Sequence, residues 1–294
     1  MTFKSFQYRI EYFFFLLLCT GVRLLPRRWS LILGRRLGDL IRLVQGKRRH
    51  QALENLEHAF PEKSTPEIQQ LLIEHFRHLG MSGVEMLDLP RLRKLDTADR
   101  LIVAEGLENM LRTHELGKGS LILSAHLGFW EVGTFFLPRQ GFHTVGVAKP
   151  VKNPHVDAYI QHQREAGGGD VISSRHAARR IVRALASGHH VLALIDQHTG
   201  RDQAVSVDFF GRPAYTTPVI TQIAKKQQVP IIPIFIYRRE DGRYDFKIEP
   251  HILLDDDLSQ EAVVRDTAML TARIETAIRR APEQWFWVHR RWRD

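Results

Sequence analysis

The sequence predicts an α/β protein with a central, mostly parallel sheet flanked by helices, preceded by an N-terminal helix that associates with a membrane. Two observations predict this. From about residue 100, short runs rich in Val and Ile alternate with stretches of helical periodicity, the pattern of repeated strand–helix–strand units. Ahead of them, an apolar run leads into a cluster of arginines instead of a cleavage site. The chain has 294 residues, 44% of them hydrophobic and 9% aromatic, enough to bury a large core.

The N-terminus comes first. Lys4 and Arg9 precede the apolar run from Tyr12 to Val22, which is followed by Arg23, Arg27, Arg28, Arg35 and Arg36. The run is too short to cross a bilayer, which takes roughly 20 apolar residues. Leu31, Ile32, Leu37, Leu40, Ile41 and Leu43 then alternate with arginines in a helical rhythm. This favours a helix dipping into one leaflet with its arginines on phosphates; a buried N-terminal helix is the other reading. Residues 1–45 are therefore expected to form an anchor, and 46–294 one domain with a helical lead-in (46–98) and an α/β core (99–294).

In the lead-in, Gln51–Phe60 has helical spacing and stops at Pro61, and Ser64-Thr65-Pro66-Glu67 is a capping signal that opens a second helix. In the core, strands are expected at Ser120–Ser124, His143–Ala148, Asp170–Ser173, Val191–Ile195, Ile231–Tyr237 and Tyr244–Ile248. Helices are expected at 129–137, 154–166, 175–187 and 216–228. Ligands of such sheets bind at the carboxyl ends of the strands. His126 lies just past one of these ends, and Asp196-Gln197-His198 just past another.

Bulk charge narrows the partners. Forty-two Lys and Arg against 33 Asp and Glu give a formal +9, which suits nucleic acid, an anionic membrane or an acidic protein. One cysteine, Cys19, excludes an internal disulfide, a multi-cysteine zinc site and a CxxC redox pair.

The stretch Ser124-Ala-His-Leu-Gly-Phe-Trp-Glu-Val-Gly133 sets His126 and Glu131 in an apolar segment. In one continuous helix they would lie about 140° apart. With His126 in the turn after the strand and Glu131 in the first helical turn, the carboxylate can reach one imidazole nitrogen, and Gly128 lets the turn close. Such a carboxylate fixes the tautomer and raises the basicity of the other nitrogen, which can then deprotonate a hydroxyl. A histidine satisfied in the core is the alternative. A metal centre has too few ligands here, and no H-E-x-x-H is present.

The H-x4-E element resembles the H-x4-D/E signature of glycerolipid acyltransferases, and the surrounding sequence resembles the branch that adds secondary acyl chains to lipid A. The resemblance rests on Asn55-Leu56, Ala59-Phe60-Pro61, Lys149-Pro150, Asn153-Pro154, Asp196-Gln197, Phe210-Gly211, Thr216-Thr217-Pro218 and the run Pro282 to Trp292. It implies a glycerol-3-phosphate acyltransferase-like fold, with 46–294 the acyltransferase domain. His126 is then the general base, Glu131 its orienting carboxylate, acyl carrier protein the donor and a lipid A precursor the acceptor, without metal or other cofactor. It also implies the cytoplasmic face of a bacterial inner membrane, whose anionic lipids suit the basic charge.

Arg164, ahead of Gly167-Gly168-Gly169, is the leading substrate-binding residue, with Arg175, Arg179 and Arg180 behind it. Asp196 and Gln197 are expected to shape the substrate pocket, or to cap the turn after their strand. Backbone N–H groups of Leu127–Phe129 are candidate oxyanion donors. Phe209, Phe210, Tyr215 and Thr216–Pro218 are candidates to line an acyl channel. The closing Trp-Phe-Trp-Val-His-Arg-Arg-Trp run suits a membrane interface, or a helix packed on the sheet with Arg290 and Arg291 exposed. Other lipid acceptors would use the same dyad, and a degenerate relative would bind lipid without catalysis. No nucleic-acid-binding motif is present.

Overall fold

The computed structural model of the chain describes residues 3–97, 101–175 and 177–293. Helices α1 (Phe3–Leu24), α2 (Arg27–Val44), α3 (Gly46–Ala59), α4 (Thr65–Met86) and α5 (Leu89–Thr97) precede the sheet. The two helices expected in the lead-in are α3 and α4, and α5 follows them; the expected junction at 98/99 lies outside the described residues. The capping signal closes as read, with the Ser64 N–H donating to Glu67 Oε2 at 2.8 Å.

Strands β1 (Ile102–Glu105), β2 (Ser120–Ser124), β3 (Thr144–Ala148), β4 (Asp170–Ser173) and β5 (His190–Leu194) come next, then a hairpin of β6 (Val205–Phe209) and β7 (Arg212–Thr216), then β8 (Ile231–Arg238) and β9 (Tyr244–Ile248). The main sheet has the order β1-β9-β8-β2-β5-β3-β4. Five strands, β8, β2, β5, β3 and β4, run parallel; β9 is antiparallel to β8, and β1 runs with β9. The fold is thus α/β with a mostly parallel sheet, as expected.

Central β2 is apolar on both faces because both are covered. Leu121 and Leu123 share a core with Phe76 of α4, Trp287, and Ile274 of α11 (Gln260–Arg280). Ile122 faces a second core with Phe246, and Phe136 of α7 (Gly133–Arg139).

Strand β1, the β6–β7 hairpin and α6 (Leu107–Glu115) were not among the expected elements. The hairpin turns on Phe210 and Gly211, at φ of 57° and 73°. A positive φ is strained for phenylalanine. Packing of the Phe210 ring on Phe60 and Trp287, at 5.6 and 5.8 Å between centroids, offsets this.

The N-terminal helices lie against this body. Helix α1 meets α8 (Pro154–Glu165): Asn153 Nδ2 donates to the Tyr8 carbonyl at 2.9 Å, and the rings of Phe15 and Tyr159 are 5.3 Å apart. Helix α2 meets α4 backbone to backbone. A Cβ on Gly38 would stand 2.1 Å from the Phe76 carbonyl oxygen, and one on Gly80 would stand 2.0 Å from that of Gly34. At the head of α2, Arg27 binds Glu85 at 2.7 Å, and Glu85 also pairs with buried Arg238 of β8.

The outward faces are apolar. Phe13, Phe14, Leu17 and Leu18 of α1 are exposed, as are Trp29, Ile32, Leu37, Leu40 and Val44 of α2. No helix among the described residues is long and apolar enough to cross a membrane.

Candidate active site

Strand register builds the centre of the site. Strands β2 and β5 pair in parallel, with Ser124 beside Leu194. Two residues past each strand end stand His126 and Asp196, side by side. His126 Nδ1 lies 2.8 Å from Asp196 Oδ1, and the His126 backbone N–H donates to Asp196 Oδ2 at 2.9 Å. Trp285 Nε1 donates to the same Oδ2 at 2.7 Å.

The Asp196 side chain is fully buried, while His126 keeps 21% of its side-chain surface exposed. With a carboxylate on Nδ1, the proton belongs on Nδ1, and Nε2 carries the free lone pair. No hydrogen bond to Nε2 is found among the described residues. Burial pushes the His126 imidazole down, but the Asp196 charge and hydrogen bond, with a smaller contribution from Glu131, outweigh it and raise its pKa. For Asp196, burial pushes up, and the His126 charge together with the donors from His126 and Trp285 hold the carboxyl below its ordinary value.

The turn that presents His126 is clamped on three sides. The Phe286 N–H donates to the His126 carbonyl at 3.1 Å, and the Gly128 N–H to the Gln284 carbonyl at 3.1 Å. His78 Nε2 lies 3.0 Å from the Gly128 carbonyl. Burial first, then the Arg238 charge, holds His78 well below its ordinary pKa, so it donates as a neutral imidazole. Gly128 has φ 61°, and a Cβ there would meet the Ile236 carbonyl oxygen at 2.0 Å, so only glycine fits.

The expected pairing is corrected at this point. Glu131 forms no hydrogen bond with His126 among the described residues. Its buried carboxylate is taken by Arg164, whose Nε donates to Oε2 at 2.8 Å and whose second amino group donates to Oε1. The reason is geometric: a 3₁₀ turn, Trp130–Val132, carries Glu131 toward the end of α8, where Arg164 stands. For Arg164, burial pushes the pKa down, but the Glu131 hydrogen bonds and charge win and raise it.

Glu131 and Arg164 stand with Trp130 on the wall of a cavity that opens to solvent. Ile122, Leu192, Leu194, Ile234, Ile236 and Phe246 give it an apolar lining. The Trp130 ring lies edge-on to the His126 ring, 4.9 Å between centroids, so the cavity begins beside the imidazole.

Other expectations meet different outcomes. Asp196 is too buried to shape a pocket by contact; it holds the imidazole. Half-buried Gln197 does not line this cavity. Arg175, Arg179 and Arg180 are exposed, and Arg180 bonds the Arg175 carbonyl at 2.9 Å. The Gly128 N–H is already committed to Gln284 and leaves the set of oxyanion donors.

Phe209 and Phe210 do not line the cavity either. They are core residues of the hairpin, with Phe209 5.6 Å from Trp285. The C-terminal run is neither an interface belt nor a helix: Trp285, Trp287 and Arg291 are buried, and Leu127 pairs with Trp285 as a β-bridge. Sequence reasoning missed the role of this segment in clamping the turn and Asp196. The signal for Asp196 was present, since it and His126 each follow an apolar strand by the same step.

Comparison with known proteins finds relatives that cover most of the chain. A Haemophilus influenzae lipid A biosynthesis acyltransferase is 28% identical over 278 residues, covering 94% of this chain and 84% of that protein. The lipid A biosynthesis palmitoleoyltransferase of Escherichia coli is 28% identical, covering 92% of this chain and 86% of its own length. The lauroyltransferase of the same organism is 26% identical, covering 89% and 84%. A solved 1-acyl-sn-glycerophosphate acyltransferase from Thermotoga maritima superposes only loosely, with a TM-score of 0.39 at 16% identity over 84% of this chain and 97% of that one. The description of one family, bacterial lipid A biosynthesis acyltransferase, matches residues 2–294, and the chain belongs to that family.

Proposed function

We propose that this protein transfers a fatty acyl chain from acyl carrier protein to a hydroxyl of a lipid A precursor, at the cytoplasmic face of the inner membrane. The observation that carries the reading is the His126–Asp196 pair beside an apolar cavity. His126 Nε2 takes the proton of the acceptor hydroxyl as its oxygen attacks the thioester carbonyl. The tetrahedral intermediate collapses with cleavage of the C–S bond, and the imidazolium returns its proton to the departing thiolate. Asp196 fixes the tautomer and stabilises the imidazolium, the role first expected of Glu131.

Glu131 instead aims Arg164. Two of the five guanidinium N–H groups are held by Glu131, leaving three for a substrate oxygen at the cavity wall. The acyl chain lies in the cavity, where each buried methylene contributes about 0.8 kcal/mol. The +9 charge suits both an acidic carrier protein and anionic lipids. The exposed apolar faces of α1 and α2 rest on the membrane surface with arginines at its phosphates.

The test is acyl transfer in detergent micelles, from an acyl carrier protein thioester to a lipid A precursor. His126→Ala is expected to lower the rate by about 10²-fold or more. Equal rates in wild type and His126→Ala would remove the base. No transfer by wild type to this acceptor, with transfer to another hydroxylated lipid, would overturn the acceptor and keep the base.

A further inference from the structure

The opposite end of the sheet holds a second cluster of functional groups that the transfer reaction does not use. His143 directly precedes β3, Asp170 opens β4, and His189 directly precedes β5. These three strands are neighbours and run parallel, with Val145 beside Asp170 and Thr144 beside His190. Their amino ends therefore bring the three side chains together, away from His126.

His143 Nε2 lies 2.8 Å from Asp170 Oδ2, and the rings of His143 and His189 are 4.0 Å apart between centroids. One ligand-type atom from each of the three residues falls within 4.8 Å of the others. From this convergence, the geometry points to a binding site for a first-row divalent transition metal ion, zinc above all, held by His143, Asp170 and His189.

The chemistry of the set supports this. Two imidazole nitrogens and one carboxylate oxygen are borderline ligands that suit zinc, and three protein ligands leave a fourth position for water. Tetrahedral bonds near 2.0–2.1 Å place ligand atoms roughly 3.3 Å apart. The His143–Asp170 contact opens slightly to reach this, and the remaining separations close by about 1.5 Å at most. Both side chains have room to turn, being 41% and 61% exposed.

The neighbouring His190 shows the contrast. It is buried with both ring nitrogens engaged, Nδ1 with Ser120 Oγ at 2.7 Å and Nε2 with His114 Nδ1 at 3.1 Å. The His189 ring has no hydrogen bond among the described residues.

An ion here would tie edge strand β4 to β3 and β5. Thr144, Asp170 and Val171 also line the cavity, so the tie would brace its wall. This is a structural role, and zinc binding can be tested without the proposed acyl transfer.

The test uses untagged, full-length protein in detergent after dialysis against a chelator, titrated with zinc against a chromogenic zinc indicator. Wild type is expected to take up one equivalent, and the His143→Ala/His189→Ala double variant to bind about 100-fold more weakly. Saturating zinc should raise the melting temperature of wild type by about 5 °C and leave the double variant unmoved. Should the double variant fail to fold, His189→Gln alone carries the comparison, with a loss of about 10-fold. Equal zinc uptake by wild type and the folded variant, or a wild-type melting temperature indifferent to zinc, overturns the site.

Discussion

Two regions of this molecule invert the usual partition between core and solvent, in opposite directions. At the carboxyl end of the sheet, charged groups are buried: Asp196 and Glu131 are 1% and 3% exposed, in contact with Ile195, Trp285 and an apolar cavity. On α1 and α2, large apolar groups are in the open, with Phe13, Phe14 and Trp29 more than half exposed. The buried charges are tolerated because each has matched donors at hydrogen-bond distance. The exposed rings keep more than half of their surface in the open, with only local contacts such as Phe13 on Phe14 and Arg28 over Trp29. The first region is satisfied within the chain, and the second leaves apolar surface open, as the proposed membrane contact requires.

The sharpest way to break the comparison is to remove one charge from the buried end. Asp196→Asn keeps the volume but loses the acceptor that fixes Nδ1–H, and acyl transfer is expected to fall by about 10²–10⁴-fold. Steady-state kinetics on variants with unchanged far-ultraviolet dichroism check this. A rate within twofold of wild type would return the orienting role to Glu131.

The pH dependence sharpens the same point. A base works only when neutral, and the raised pKa of His126 puts the acid limb of the rate profile above the ordinary histidine range. Asp196→Asn removes what raises it, so in the residual activity this limb should move to lower pH. A limb that stays in place assigns the titration to another group. The same pair bears on stability: the contribution of the raised His126 pKa is present below the unfolded-state histidine pKa and lost as pH rises through the folded value, and that of the lowered Asp196 pKa is lost as pH falls through its own folded value.

Glu131→Gln strands the Arg164 guanidinium, most of which is buried. Urea denaturation is expected to show a loss of about 2 kcal/mol, less than for a wholly buried pair because Arg164 keeps some solvent contact. Transfer should weaken mainly through substrate binding. Unchanged stability would mean that the pair is not formed in solution.

The smallest effect on folding is expected at the other region. Leu37→Asp with Leu40→Asp changes two exposed positions of α2, and stability should move by no more than about 0.5 kcal/mol for each. Co-sedimentation with anionic vesicles should nevertheless drop several-fold. If binding persists in the double variant, α2 is not the membrane contact.

Much of this was legible in the sequence wherever the determinant is local. The Ser64-x-x-Glu67 cap closes as spelled, and Leu121-Ile122-Leu123 reads as a strand covered on both faces. His126, Glu131, Arg164 and Asp196 were all named, and the structure brings them into one neighbourhood. The pairing within the set was not legible, since proximity in sequence suggested His126 with Glu131. The actual partner lies 70 residues away and is delivered by strand register.

The tryptophan-rich end misled for a related reason. Indoles beside arginines look alike whether they face lipid or bury in a core. Here Trp285 has an internal acceptor, Asp196, that composition cannot reveal.

The glycine seam between α2 and α4 carries a further consequence. Because Gly34, Gly38 and Gly80 let the two backbones touch, the seam holds α2 without drawing on its exposed apolar side chains Ile32, Leu37 and Leu40. Attachment to the body and the proposed membrane contact are thereby written on separate residues of one helix. Ile32, Leu37 or Leu40 can be exchanged for other apolar residues, changing the proposed membrane contact, while the fit of the helix to the body stays the same. A substitution at any of the three glycines has no such latitude, and drift along α2 should be confined to its outward face.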